Sequence, residues 1–346
     1  TNPGQAAEKA NLLYVSEEDL RIERRKKGKG YQYLKDGVPL KSIKDLERIK
    51  KLVIPPAWEK VKICPFSEGH LQVVGIDSKQ RKQYMYHPDW TKFRNRTKFF
   101  KMVAFGKALP KIRKNVDQDL DLRGMPQRKV LALVIRLMEE THIRIGNDTY
   151  ARQNKSYGLS TLRSRHVKVS RGKMKFKFVG KRGIEHSITV RNKKLVKLVN
   201  QCEEIPGWEL FKYIDEGGNK KTVDSGMVNN YIQEVSDELF SAKDFRTWSA
   251  TKIFFETLKD LGHLEEEKEN KSNIIKALDT AAEALGNTRS VCRSYYVHPM
   301  ILESYETGEI VPYFEKVNRK RTSKPHFSQT EEVLLEMISD FEITPD

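Results

Sequence analysis

His166-Val167-Lys168-Val169, Met174-Lys175-Phe176-Lys177-Phe178 and Ile184-Glu185-His186-Ser187-Ile188-Thr189-Val190 are three successive runs in which apolar and polar residues alternate. Alternation puts every second side chain on one face, so residues 165–190 read as three short strands with a buried side. Tight basic turns join them, and the second turn is Gly180-Lys181-Arg182-Gly183. Glycine on either side permits a sharp reversal that holds Lys181 at a hairpin tip.

On both sides of this sheet the apolar spacing becomes helical. Upstream, Pro126 suits the first turn of a long helix that buries Val130, Val134, Leu137 and Met138 and delivers His142-Ile143-Arg144-Ile145-Gly146-Asn147. Earlier still, from about Trp90, Phe99, Phe100, Val103 and Phe105 make another apolar helical face. Downstream, helices are expected near 192–202, 224–239, 243–261, 269–285 and 288–306, with 265–271 as an exposed acidic connector. In the tail after about residue 312, residues 331–338 also look helical.

The amino-terminal part has another character. Residues 1–13 are small and polar, and the run Arg24-Arg25-Lys26-Lys27-Gly28-Lys29-Gly30 reads as a solvated loop leading into Tyr31-Gln32-Tyr33-Leu34. Ser42 can cap a helix carrying Ile43, Leu46, Ile49 and Leu52, which Pro55-Pro56 ends. Then 71–77, the turn Ser78-Lys79-Gln80 and 81–86 predict a β-hairpin. The expected fold class is α+β. A small β-sheet-rich N-terminal domain over 1–92 precedes a larger, mainly α-helical domain over 93–346 that holds the three-stranded antiparallel sheet.

With 64 Lys and Arg against 47 Asp and Glu among 346 residues, the net charge is +17, a field that attracts polyanions and above all nucleic acid. The 38% of hydrophobic residues is enough for packed cores. No run has the length of an apolar membrane helix, and the first residues lack a signal-peptide core, so a soluble, intracellular protein is expected. Cys64, Cys202 and Cys292 are far apart and form no C-x-x-C pair; they read as reduced packing residues. No phosphate-binding G-x-x-x-x-G-K-[ST] loop and no H-E-x-x-H occurs. Asp117-Gln118-Asp119-Leu120-Asp121 starts like a calcium loop, but Leu122 and Arg128 stand where glycine and a bidentate glutamate are required. Neither cofactor nor metal is expected.

A metal-free attack on a phosphodiester needs fixed guanidiniums for the non-bridging oxygens and a proton donor for the leaving alkoxide. Arg144, Lys181, Arg246 in Lys243-Asp244-Phe245-Arg246-Thr247-Trp248, Asn287 and Tyr296 occur in that order. Their residue types suit such chemistry, yet each could equally serve a surface ion pair or a core edge.

Five separated motifs together resemble the bacterial and poxvirus-type DNA topoisomerases IB. Gly75-Ile76-Asp77-Ser78-Lys79-Gln80-Arg81-Lys82-Gln83-Tyr84-Met85-Tyr86 is similar to the family's G-x-D-x-x-G-R-x-Q-Y-x-Y strand pair, with Gln80 in place of the turn glycine. Arg144-Ile145-Gly146-Asn147-Asp148-Thr149-Tyr150 with 157–162, Phe178-Val179-Gly180-Lys181, 243–247, and Leu285-Gly286-Asn287-Thr288 with Ser294-Tyr295-Tyr296-Val297 supply the rest. The resemblance, which covers roughly residues 14–310, implies that Tyr296 is the nucleophile. It further implies that Arg144 and Arg246 clamp the phosphate, Lys181 protonates the leaving 5′-oxygen, and Asn287, a histidine in poxvirus members, adds a donor. Neighbours on a helix diverge by about 100°, so Tyr295 is expected to pack.

The same resemblance implies a monomer that clamps double-stranded DNA and relaxes supercoils through a 3′-phosphotyrosyl intermediate, without ATP or metal. A cytoplasmic location follows, on the nucleoid if the cell is bacterial. Lys79, Arg81, Gln83, Tyr84 and Tyr86 are candidate DNA contacts in the hairpin, and Tyr150 and Thr161 candidate phosphate contacts near the cleavage site. Tyr84 and Tyr86 could instead pack one face of the sheet. A tyrosine site-specific recombinase shares the arginine-lysine-arginine-tyrosine chemistry, but has a second histidine where Lys243 stands and usually begins with helices. A non-catalytic basic DNA-binding protein would explain the charge alone.

Overall fold

The three alternating runs become the antiparallel sheet β7-β8-β9 of a computed structural model that describes residues 7–339 except 9, 29, 79 and 171. For residues 94–97 and 100, Phe100 among them, the backbone alone is described. Two compact units result, Thr1–Lys98 and Phe99–Asp346, and the division falls within one long helix.

In the first unit a six-stranded antiparallel sheet has the order β3-β2-β1-β4-β5-β6. Its strands are β1 (Ile22–Lys27), β2 (Gly30–Lys35), β3 (Val38–Pro39), β4 (Glu59–Ile63), β5 (Leu71–Ile76) and β6 (Lys82–Tyr86), with α1 (Ile43–Lys51) between β3 and β4. The oxygen of Ser42 accepts from Asp45 N and caps α1, and Ile49 of that helix packs with Ile22, Val61, Ile63 and Val73 of the sheet. The basic run read as a solvated loop is corrected here: residues 24–27 lie in β1 and Gly30 opens β2, while Lys29 lies outside the described residues. Charge does not exclude a strand when the cations find partners. Arg24 donates to the carbonyls of Ile54, Pro55 and Trp58 and lies 4.3 Å over the Tyr31 ring.

In the second unit β7 (Val167–Ser170), β8 (Lys173–Val179) and β9 (Glu185–Val190) bury Met174, Phe176 and Phe178 on one face, the pattern that the alternation predicts. A short hairpin of β10 (Lys212–Ile214) and β11 (Lys220–Thr222), too brief to show a period, adds a second small sheet. The helices are α2 (Pro88–Leu120), which begins in the first unit, α3 (Gln127–Thr141), α4 (Asp148–Asn154), α5 (Lys193–Glu204), α6 (Ser225–Ser236), α7 (Ala242–Leu261), α8 (Glu267–Leu285), α9 (Arg289–Tyr295), α10 (Pro299–Thr307), α11 (Val311–Arg319) and α12 (Gln329–Ser339). Pro126 stands just before the first turn of α3, at the N-cap position, and not within it as expected.

The continuous run Val130-Leu131-Ala132-Leu133-Val134-Ile135 is buried all round, so α3 is a central helix and not the one-sided helix expected. Side chains of α5, α6, α7, α8 and the β7-β8-β9 sheet complete one core with it. Fully burying each such aliphatic or aromatic side chain contributes about 1.5–3 kcal/mol. Among the described residues no helix is long and apolar enough to cross a membrane.

Candidate active site

Helix α3 stops because His142 takes the left-handed conformation at φ 54° and bonds Met138 O through its own N–H. The chain beyond it, carrying Arg144, is held by a second segment. Leu159 N donates to Arg144 O at 2.8 Å, and Ser160 N to Ile145 O at 2.7 Å. The two strands of this loop touch at glycines: a Cβ on Gly158 would meet Arg144 O at 2.4 Å, and Gly146 has φ 103°. Any larger residue at Gly158 would push the Arg144 backbone away. Tyr157 N in turn donates to Val179 O, which ties the loop to the end of β8 just before Gly180 and Lys181.

Arg246 sits in the opening turns of α7, whose amino end is closed by Ser241 and Asp244. It is only 5% exposed. Its Nη1 donates to His142 O and its Nη2 to Leu285 O at 2.8 Å, so one guanidinium joins the ends of α3 and α8. Past Leu285, Gly286 turns the chain at φ 59°, and Arg144 Nη2 donates to Gly286 O at 3.3 Å and to Asn287 Oδ1 at 2.5 Å. Both arginines are therefore held by oxygens from the same α8–α9 connection. Two buried donors in this cluster, Arg246 Nε and Asn287 Nδ2, have no hydrogen-bond partner among the described residues. Such donors are normally satisfied, and an anion with several oxygens is the ligand that would satisfy both.

The expected helix over 288–306 is interrupted, and the interruption carries Tyr296. Pro299 has no N–H to continue a helix and forces His298 into an extended conformation at φ −68°, ψ 127°. Tyr296 leaves the helical region at φ −130°, ψ −31° and ends α9. Thr251 of α7 fixes this break, donating to Tyr296 O at 2.9 Å and accepting from His298 N at 3.1 Å. The Tyr296 ring is partly buried against the core and lies 5.6 Å from the Arg246 guanidinium. Tyr295 is 47% exposed, so the expectation that it packs is corrected. The break turns Tyr296, not its neighbour, toward the arginines. Thr251 has no sequence signal of its own, since its partners lie about 45 residues away.

Lys181 stands exposed in the turn after β8, where Arg182 at φ 65° and Gly183 at φ 77° reverse the chain. Although the side chain is exposed, the protein around it partly desolvates the ammonium and holds it below the ordinary lysine range, and Arg144 pushes it further in the same direction. Burial and Arg182 likewise lower Arg144, against the pull of Tyr296. Arg246 is pushed down to about 10 by burial and by Arg144, and so stays charged at neutral pH. Arg144, Arg246, Asn287 and Tyr296 thus meet in one place, with Lys181 near enough to feel the first and the last.

The remaining expected contacts divide. Tyr150 lies exposed on α4, its N–H capped by the Asn147 side chain. Thr161 is 8% exposed; its hydroxyl accepts from Gly158 N and donates to Gly158 O, so it braces the Arg144 loop and is not presented to solvent. In the first unit, Asp77 accepts from Arg81 N and Nε and from Gln83 Nε2. Both side chains thereby shape the β5–β6 turn, where Gln80 takes φ 57°. Tyr84 and Tyr86 do not pack into the sheet's core; they are 43% and 36% exposed and stack on each other at 6.2 Å. Lys79 lies outside the described residues.

Comparison with known proteins gives two adjoining matches. A family model described as Eukaryotic DNA topoisomerase I, catalytic core, matches residues 80–322, and one described as Bacterial DNA topoisomerase IB, N-terminal domain, matches residues 30–77. The DNA topoisomerase 1B of Acanthamoeba polyphaga mimivirus is 36% identical over 272 residues, 77% of this chain and 81% of that protein. The DNA topoisomerase 1 of Rabbit fibroma virus (strain Kasza) is 28% identical over 68% of this chain and 73% of its own length. For the DNA topoisomerase 1B of Vaccinia virus (strain Copenhagen) the identity is 25%, over 66% of this chain and 71% of that protein.

Proposed function

Because the chain belongs to the type IB DNA topoisomerase family, we propose that it relaxes supercoiled duplex DNA by transient cleavage of one strand, with Tyr296 as nucleophile. The Tyr296 hydroxyl gives its proton to solvent as its oxygen attacks the scissile phosphorus, the bond to the 5′-oxygen breaks, and a 3′-phosphotyrosyl ester forms. Lys181 gives its proton to the departing 5′-oxygen. One phosphoester replaces another, so the step is close to thermoneutral and needs no nucleotide. Duplex beyond the nick rotates, torsional energy is lost, and the 5′-hydroxyl attacks the phosphotyrosine to restore the strand.

The observation that carries this reading is the pair of unpartnered buried donors, Arg246 Nε and Asn287 Nδ2, beside Arg144 and the Tyr296 ring. In the pentacoordinate transition state negative charge gathers on the non-bridging oxygens. Donors already in place, and already desolvated, stabilise it more than they stabilise the ground state. The stacked Tyr84–Tyr86 pair and the net charge of +17 support duplex DNA as the substrate. The enzyme acts as a monomer that clamps the duplex, in the compartment that holds the DNA: the cytoplasm, on the nucleoid, in a bacterial cell.

The test is relaxation of negatively supercoiled plasmid in EDTA without nucleotide, comparing wild type with Tyr296→Phe. Relaxation by the wild type alone is the expected outcome. Equal relaxation by both would move the nucleophile to another residue, Tyr295 first.

A further inference from the structure

His186 occupies the point where the Lys181 turn and the Asn287 segment come together. It lies on β9 opposite Phe178 of β8, and its imidazole stacks on the Phe178 ring at 4.9 Å with 16° between the planes. A Cβ built on Gly180 would come within 2.7 Å of His186 Nε2, and one built on Gly286 within 2.7 Å of His186 Cε1. Two glycine backbones from different parts of the chain are therefore pressed against the same imidazole. Gly180 immediately precedes Lys181; Gly286 immediately precedes Asn287 and accepts from Arg144. Gly180 has φ −99°, a conformation open to any residue, so what demands glycine there is the approach of the ring.

A ring in this place has to tolerate two cations, Arg144 and Arg246. Burial, with Arg144 and Arg246 close by, holds His186 below the usual histidine range, so it stays neutral near pH 7 and adds no charge to the cluster. A flat, neutral side chain fixed by stacking is a rigid spacer between two loops. Lys181, in contrast, takes its place from the backbone of the turn that follows Gly180.

We infer that His186 is a positioning residue that seats the Gly180–Lys181 turn against the Gly286–Asn287 segment, and so sets where the Lys181 ammonium meets the leaving oxygen. The inference rests on the reading of Lys181 as proton donor. His186 takes no proton itself; it acts through Lys181.

The experiment compares single-turnover cleavage of two duplexes, one with the ordinary 5′-oxygen at the scissile phosphate and one with sulfur bridging at that position. A thiolate leaves without a proton, so the second substrate makes a general acid unnecessary. His186→Ala is expected to slow cleavage of the ordinary duplex by about 10²-fold, the order that a misplacement of about 1 Å produces. On the sulfur duplex it should return to within a few-fold of wild type. Gly180→Ala, whose backbone conformation suits alanine, should behave in the same way, and it carries the test if His186→Ala does not fold. The double variant should be no slower than His186→Ala alone, because the missing ring leaves room for the added methyl.

Slow cleavage of both duplexes by His186→Ala, or wild-type cleavage of both, would overturn the inference. A double variant in which the two losses multiply would also overturn it. Lys181→Ala separates the two levels. If it is rescued by sulfur while His186→Ala is not, the inference about His186 fails alone; if Lys181→Ala is not rescued, the proton-donor reading fails and takes the inference with it.

Discussion

Arg144 donates to the side-chain oxygen of Asn287 at 2.5 Å, and the amide nitrogen of Asn287 is a buried donor without a partner among the described residues. One side chain thus both holds an arginine and offers a hydrogen bond of its own. Asn287→Ala removes both functions and Asn287→Asp removes the donor alone. Loss of one such donor lowers cleavage by roughly 10²-fold, and both variants should show at least that in single-turnover cleavage at saturating enzyme. The aspartate should be no faster than the alanine, since its charge opposes the phosphate. Wild-type cleavage by Asn287→Asp would show that the nitrogen contributes nothing.

Lys181 has a pKa lowered by partial desolvation and by Arg144, which fixes the sign of a pH effect. A general acid must be protonated, so cleavage should fall as pH rises through the Lys181 pKa, at a pH below the ordinary lysine value of about 10.4. The measurement is the cleavage rate of wild type and Lys181→Ala between neutral and alkaline pH on ordinary duplex. The alkaline fall should be absent in the variant, and its persistence there would assign it to another group.

Glu331 on α12 is 2% exposed and accepts from both terminal nitrogens of Arg113 and from Trp248 Nε1. Burial pushes its carboxyl up, but the Arg113 guanidinium outweighs this and the pKa lies at about 2. A lowered folded-state pKa means stability that is fully present above the unfolded value of about 4.3 and lost as pH falls through about 2. Glu331→Gln leaves Arg113 with only Glu139 as a carboxylate partner. Breaking such a buried pair costs about 3–5 kcal/mol. Thermal or urea denaturation at neutral pH should show the loss, and the gap from wild type should narrow as the pH is lowered from 4 toward 2. A gap that widens on acidification would contradict the ion pair.

Gln80 holds φ 57° in the β5–β6 turn, in the left-handed region where a side chain is strained by roughly 1–2 kcal/mol. Glycine removes that strain but loses more chain entropy on folding, about 0.5–1 kcal/mol. Gln80→Gly should therefore stabilise the hairpin by up to about 1.5 kcal/mol, read as a higher urea midpoint. A lower midpoint would mean that the Gln80 side chain has a partner that outweighs its backbone strain.

Much of the architecture could be read from local pattern. The alternation of Met174, Phe176 and Phe178 dictates one buried face, and Ser42 and Asp45 mark a helix start wherever they fall. What could not be read depends on contacts distant in sequence. The basic run 24–30 looks like a loop until the carbonyls of Ile54, Pro55 and Trp58 receive Arg24. Thr161 is a different case: Gly158 is only three residues away, but no pattern of residue types shows that its backbone takes the Thr161 hydroxyl. The choice between Tyr295 and Tyr296 turned on Pro299, whose helix-breaking effect is visible in the sequence, and on Thr251, which fixes the direction of the break and is not.

Tyr84 and Tyr86 stand exposed and stacked beside Lys82, whose ammonium lies 5.8 Å over the Tyr84 ring. Two kinds of contribution to DNA binding can be told apart here. Cations that meet phosphates release counterions, so the logarithm of the binding constant should fall with the logarithm of salt, by about 0.9 per phosphate contacted. A neutral aromatic ring releases none. Tyr84→Ala and Tyr86→Ala should thus weaken duplex binding at every salt concentration while leaving the slope unchanged. Filter binding or anisotropy from low to moderate salt measures both quantities at once. Lys82→Ala is the control: its ammonium is also paired with Glu17, so the slope should change by less than about 0.9. A flat salt dependence of the wild type would remove the electrostatic clamp altogether, and a tyrosine variant with a shallower slope would mean that these rings act by placing a cation, not by touching DNA.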